Sequence, residues 1–197
     1  MSKLSDANLL LGFTHIVQIV RFNFQSISKL IPMAVILPSV LLVSNAHALS
    51  NPGLGTYATY SYLSQAPKGP IYKGTQTDSV ISVNPTNLVY QLQTEIQVAG
   101  QVNATSLWNV SGNYFDDTIY FIEHCKETGG NNVKFHVPAG DFETCHIVFK
   151  HPDRETLSLE AWLSTDVPLF TVKQIRKASD TNQTQISISL LKFVTQK

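Results

Sequence analysis

The sequence predicts an all-β domain built on an antiparallel sheet, and three observations carry that prediction. Residues 88–98 place Leu88, Tyr90, Leu92, Thr94, Ile96 and Val98 on one side of the chain. Gln91, Gln93, Glu95 and Gln97 lie on the other, with Val89 as the one exception. This is the period of two expected of a half-buried strand. Turn-forming residues then recur at hairpin spacing through residues 49–197, so consecutive strands are expected to pair. Finally, no segment of that stretch sustains a 3.6-residue amphipathic period. The pattern leaves room for one short helix near 64–76, where the strand signal is weakest.

Taken in order, residues 49–55 read as a polar loop, and the β-branched and aromatic residues 56–63 as the first strand. Gln65-Ala66-Pro67-Lys68-Gly69-Pro70 breaks the pattern. Strands are expected again at 78–83 and 88–98, separated by the turn cluster Asn84-Pro85-Thr86-Asn87. Ala99-Gly100 leads into a strand at 101–110, and Gly112-Asn113 into another at 114–124. Further strands are expected at 133–137, 142–150, 156–163, 169–176 and 184–194. The last alternates Ile186, Ile188 and Leu190 with Ser187 and Ser189. With no internal repeat or low-complexity tract, residues 49–197 read as a single domain.

Residues 1–48 read as a signal peptide with a long n-region. The apolar run 30–43 follows Arg21 and Lys29 and is succeeded by Ser44-Asn45-Ala46-His47-Ala48. Ala46 and Ala48 fit the small-residue pattern that signal peptidase accepts. The run is too short for a bilayer, which needs about 20 residues, and Pro32 and Pro38 interrupt it as a helix. No stable transmembrane anchor is expected, and the protein is placed in the bacterial periplasm or outside the cell.

Charge narrows the partners. Lys3, Arg21 and Lys29 against Asp6 give the targeting segment a balance of +2. That leaves 14 − 3 = 11 basic and 14 − 1 = 13 acidic side chains in the mature domain, a balance of −2. A near-neutral domain offers neither the clustered basic surface that nucleic acid requires nor a polybasic lipid patch.

Cys125 and Cys145 are the only cysteines. An even pair in an exported domain is expected to form a disulfide, closing a loop that contains the flexible-looking residues 127–132. His124 and His146 flank them, but neighbouring residues on a strand face opposite ways and zinc spacings are missing, so no metal site is expected. No serine lies in G-x-S-x-G, Asp116 and Asp117 diverge if they sit on a strand, and Asp141 reads as a turn residue. No catalytic residue and no cofactor is therefore expected. Sequons occur at Asn103, Asn109 and Asn182. Tyr57, Tyr60, Tyr62, Tyr72, Tyr90, Trp108, Tyr114, Phe115, Tyr120 and Trp162 are core or edge residues by default, with the option of lining an apolar groove.

The stretch Val137-Pro138-Ala139-Gly140-Asp141-Phe142 resembles the "V-P-A-G-x-F" turn of the DUF3108-like group of exported bacterial proteins. Ala161-Trp162-Leu163-Ser164-Thr165-Asp166-Val167-Pro168, followed by Val172-Lys173, is similar to the same group's tryptophan strand and "D-V-P…V-K" turn. Pro138 and Gly140 are read as structural, since proline fixes φ and glycine allows a positive one. The resemblance covers only part of the C-terminal half. It implies a cell-envelope protein with a curved sheet, a half-barrel or open barrel similar to that of lipoprotein carriers, and it carries over no catalytic residue. The expected role is a non-catalytic periplasmic protein holding a lipid or other apolar ligand in a concave sheet. An envelope scaffold or adhesin that binds a protein partner comes second, and a hydrolase third.

Overall fold

A computed structural model describes residues 51–65, 69–151, 154–178 and 184–196, with only the backbone described at 150, 151 and 154–156. Residues 1–48, with Ala46 and Ala48 of the expected cleavage site, lie outside the described residues.

Among the described residues, nine strands form one antiparallel sheet that does not close into a barrel. They are β1 (Tyr57–Gln65), β2 (Ile71–Asn84), β3 (Val89–Val98), β4 (Ala104–Ser111), β5 (Asn131–Val137), β6 (Gly140–His151), β7 (Arg154–Leu163), β8 (Thr171–Ala178) and β9 (Thr184–Val194). Their spatial order is β4-β3-β2-β1-β9-β8-β7-β6-β5. From β1 in the middle of the sheet the strands meander to one edge, the path crosses to the other edge, and it meanders back until β9 pairs with β1. Backbone and hydroxyl bonds between Thr56 and Gln196, with Gly53 N donating to Gln196 O at 2.9 Å, hold the two ends of this circuit side by side.

Two expectations fail in complementary ways. The weak segment near 64–76 is not helical: it takes in the end of β1 and the start of β2, and residues 66–68 lie outside the described ones. β2 is a 14-residue strand because β1 and β3 flank it, so its backbone is satisfied on both sides whatever its side chains prefer. Residues 114–124, expected as a strand, lie instead in helix α1 (Gly112–Glu123) and the turn that follows it. Phe115, Thr118, Phe121 and Ile122 are its buried residues, a helical spacing masked by strand-favouring aromatic and β-branched side chains.

The position of α1 shows how far the sheet curls. Phe115 packs edge-on against Tyr90 of β3 at 4.8 Å, and Phe121 stacks with Phe149 of β6 at 6.1 Å. Six helical residues advance only about 9 Å. In a flat sheet β3 and β6, six places apart, would be separated by about 29 Å. The sheet must therefore wrap around the helix, whose apolar stripe fills the centre of the concave side. Contact between β5 and β9, four places apart in the order, reflects the same curl. Around the helix the core includes Ala58, Tyr60, Val80, Leu92, Val172 and Leu190, all closed off from solvent.

Cys125 and Cys145 are joined, with Cα atoms 5.5 Å apart, and both are buried. The bridge does not secure a loose loop. It pins the C-terminal end of α1 to β6, and residues 124–130 form a hydrogen-bonded turn in which Thr128 Oγ1 donates to Cys125 O at 3.0 Å. Gly130 makes room for the bridge, since a Cβ there would lie 2.7 and 2.8 Å from the two sulfur atoms. Gly130→Ala is expected to cost about 1–3 kcal/mol through overpacking. Urea denaturation of the oxidised protein checks this, and an unchanged midpoint would refute it.

Candidate functional site

Strand register sets which side chains reach the concave side beside the helix. Tyr60 pairs with Gln76, Gln76 with Ile96, Asp78 with both Ala58 and Thr94, and Leu92 with Trp108. One face of β1–β4 therefore carries Tyr60, Gln76, Asp78, Thr94 and Trp108 among apolar neighbours. Four hydrogen bonds link this polar set. Gln76 Nε2 donates to Asp78 Oδ1 at 3.2 Å and to Oδ2 at 3.0 Å. Thr94 Oγ1 donates to Asp78 Oδ1 at 2.7 Å, and Trp108 Nε1 donates to Thr94 Oγ1 at 3.3 Å.

Two buried atoms of the set, the Tyr60 hydroxyl and Gln76 Oε1, have no hydrogen-bond partner among the described residues. Burial pushes the Asp78 carboxyl up to about 6, against the opposing effect of the bonds from Thr94 and Gln76. Tyr60 is raised well above the usual phenol range by burial, then by the charges of Asp78 and Tyr114. Tyr114, in the first turn of α1, is pushed up to about 12 by burial, eased by Thr118 and raised further by Asp78. Thus α1 supplies the fifth wall of the cluster. Asp78, Trp108 and Tyr114 keep a minority of their surface in contact with solvent, whereas Tyr60, Gln76 and Thr94 are closed off. The cluster runs from solvent into the core. Chemically it holds a carboxyl whose proton affinity burial raises, with a phenol and an amide oxygen that have no hydrogen-bond partner among the described residues.

The other residues singled out from sequence are dispersed. Pro138 and Ala139 form the turn between β5 and β6, where Gly140 takes a φ of 136°. Asp141 meets His136 across that hairpin at 2.7 Å. Asp116 and Asp117 are exposed on α1, not on a strand. His124 and Cys125 likewise sit at the end of the helix. His124 stacks on Tyr120 with ring centres 4.0 Å apart, while His146 turns to Glu160, so the two histidines lead to different partners. Among the described residues no group of three metal-ligating side chains converges. Of the aromatics, Tyr60, Tyr62, Tyr90, Phe115 and Trp162 are buried, while Tyr72 and Tyr120 are exposed.

Trp162 belongs to a second assembly. It stacks on His146 with centres 4.5 Å apart and lies 5.0 Å from Phe135, and Lys173 Nζ sits 5.2 and 5.3 Å from the centres of Phe135 and Trp162. Glu160 accepts from His146 at 2.9 Å and from Lys177 at 2.7 Å. Burial alone would raise the Glu160 pKa, but the bonds from Lys177 and His146 together hold it below the usual range. A lowered carboxyl stabilises the fold above its unfolded pKa and loses that contribution as pH falls through the folded one. Glu160→Gln is therefore expected to cost on the order of 1 kcal/mol at neutral pH and almost nothing in strong acid. Denaturation curves at the two pH values check this, and an equal cost at both would refute it.

No family model matches the chain, and no curated protein matches it. Among solved structures the chain is similar to a protein of Bacteroides fragilis with a YmcC-like fold, at 8% sequence identity and a TM-score of 0.47, over 73% of this chain and 97% of that one.

Proposed function

We propose that the domain is an exported, non-catalytic cell-envelope protein that binds a small lipid-like or other apolar ligand against the concave side of its sheet. The observation that carries this reading is the Asp78 cluster, where two buried polar atoms have no hydrogen-bond partner among the described residues. Each such atom costs about 1–3 kcal/mol, and phenylalanine at 60 with leucine at 76 would serve packing better. Concave, mostly apolar surfaces with a few convergent polar groups are where small ligands bind. Because α1 fills the centre, the ligand lies beside its first turn, where Asp78, Trp108 and Tyr114 meet solvent.

Export is supported by the signal-peptide features of residues 1–48 and by the use of both cysteines in a bridge. The DUF3108-like resemblance of residues 137–173 supports an envelope address. Native mass spectrometry of the protein recovered from its exported compartment tests both parts. The expected result is a chain starting at Leu49, two hydrogens lighter than the dithiol, with a bound ligand released on unfolding. A chain retaining residues 1–48 would overturn export. Loss of the ligand reading would follow from an empty protein that also fails to bind an apolar fluorescent probe.

A second reading, partner binding at a sheet edge, is favoured by β4. Among the described residues this strand pairs only with β3, none of Ala104–Ser111 is charged, and Leu107 is 55% exposed. Edges are normally blunted by charge or proline, and an unblunted one can recruit another chain. If cross-linkers placed at 105 and 109 capture no envelope protein, that reading fails.

A further inference from the structure

We propose that β4 pairs with β4 of a second copy of this chain, antiparallel about a two-fold axis through Leu107, so that two sheets continue into one. This rests on the edge reading above and names the occupant of the edge.

Edge strands normally carry a device that stops such pairing: a charge, a proline, a bulge or a covering segment. Among the described residues β4 has none of these. It is uncharged and proline-free, and its register with β3 runs from Ala104 to Ser111 without a shift. No hydrogen bond from an element other than β3 reaches the backbone of residues 104–110. At the opposite edge, β5 carries exposed Lys134 and His136 and is blunted. The open edge therefore meets its own kind, which closes a pair instead of extending a β4-to-β5 chain of copies.

Register and charge select the second copy. An axis perpendicular to the sheet keeps the two concave sides together, so paired residues must both be odd-numbered or both even-numbered. With the axis at Leu107, that exposed side chain lies opposite Leu107 of the second copy, Thr105 opposite Asn109, Ser106 opposite Trp108 and Ala104 opposite Val110. Apolar side chains meet, two neutral hydrogen-bonding side chains meet, and the small serine leaves room for the indole. Like charges do not meet. The outward row that holds Glu95 runs through Thr105 into Asn109 and Gln91 of the second copy. The concave row that holds Asp78 runs through Thr94 and Ser106 into Trp108 and Leu92 of the second copy. Another protein would have to supply a leucine between neutral neighbours at this spacing, whereas a second copy supplies them by symmetry.

Sedimentation equilibrium of the mature, oxidised protein from micromolar to millimolar concentration tests the proposal, since a seam of one strand pair is small and its dimer weak. A monomer–dimer equilibrium is expected, with Trp108 fluorescence moving to shorter wavelength as the dimer forms. Trp162, the other tryptophan, is already buried in the monomer. Leu107→Lys sets like charges face to face and is expected to weaken the dimer at least about tenfold. Leu107→Cys is expected to form a disulfide with its own copy under oxidising conditions, and Thr105→Cys to form little, because only a residue on the axis meets itself. Both changes fall on exposed positions, so the fold tolerates them. A protein that stays monomeric throughout, or Thr105→Cys linking as readily as Leu107→Cys, would overturn the proposal. In that event the edge reading survives if cross-linkers at 105 and 109 capture a different envelope protein, and both fall if they capture nothing.

Discussion

Replacing Cys125 and Cys145 together with serine is expected to lower stability by about 3 kcal/mol, the chain-entropy value for a loop of this length. The two residues are 20 positions apart in sequence, and their bond closes a ring around the helix-end turn, all of β5 and its hairpin. For a domain of this size the loss corresponds to a fall in Tm of about 10 °C. The damage should also have an address. The N-terminal end of α1 continues directly from β4 and is tied by Gly112 N donating to Leu88 O at 2.6 Å. Its other end relies on the bridge, helped mainly by the Phe121–Phe149 contact. Limited proteolysis should therefore cut the double variant between 112 and 130 before cutting the strands, and a reductant should reproduce the effect in the unaltered protein. Equal denaturation midpoints with and without the bridge would contradict this account.

Asp78→Asn is expected to act in the opposite direction. Burial raises the Asp78 carboxyl from its ordinary value to about 6, so the folded protein holds that proton more tightly than the unfolded chain does. The sign follows: the contribution is fully present below about pH 4, declines as pH rises toward 6, and above that the fold carries the cost of a desolvated carboxylate. A displacement of about two pKa units corresponds to about 3 kcal/mol at most, and the solvent contact retained by Asp78 reduces it. The asparagine variant should therefore be about 1–2 kcal/mol more stable than the unaltered protein at pH 7.5. The advantage should vanish near pH 4. Urea titrations of both proteins across that range give the difference directly, and a difference independent of pH would sink the prediction. Perturbed carboxyls of this kind cluster at functional sites, which is why the same residue anchors the proposed ligand reading.

Much of this molecule could be read from residue order, for identifiable physical reasons. β3 was legible because its buried and outward rows differ in polarity at every step but two, Val89 and Thr94. The cysteine pair was legible because an even count in a domain read as exported leaves few alternatives. α1 was not, since Tyr114, Phe115, Ile119, Tyr120, Phe121 and Ile122 have the composition of a strand. Counting the spacing 115, 118, 121, 122 against a period of 3.6 would have found it. The Asp78 cluster was hidden for a different reason. Gln76 and Asp78 look like a solvent-facing row until the register with Tyr60 and Thr94 turns that row inward. Register is a property of three strands at once, and no window on β2 alone contains it.

The pairing of β1 with β9 has a consequence for timing. Tyr60 lies opposite Leu190, a partner 190 − 60 = 130 positions later in the chain. Until residues 184–194 have been synthesised, β1 and β8 each present a bare edge, and the two meanders share no spine. Such non-local closure is slow and comes late. The domain therefore cannot finish folding while its last strand is still in the ribosome. That kinetic order suits the proposed export, in which a polypeptide is threaded unfolded through a membrane channel.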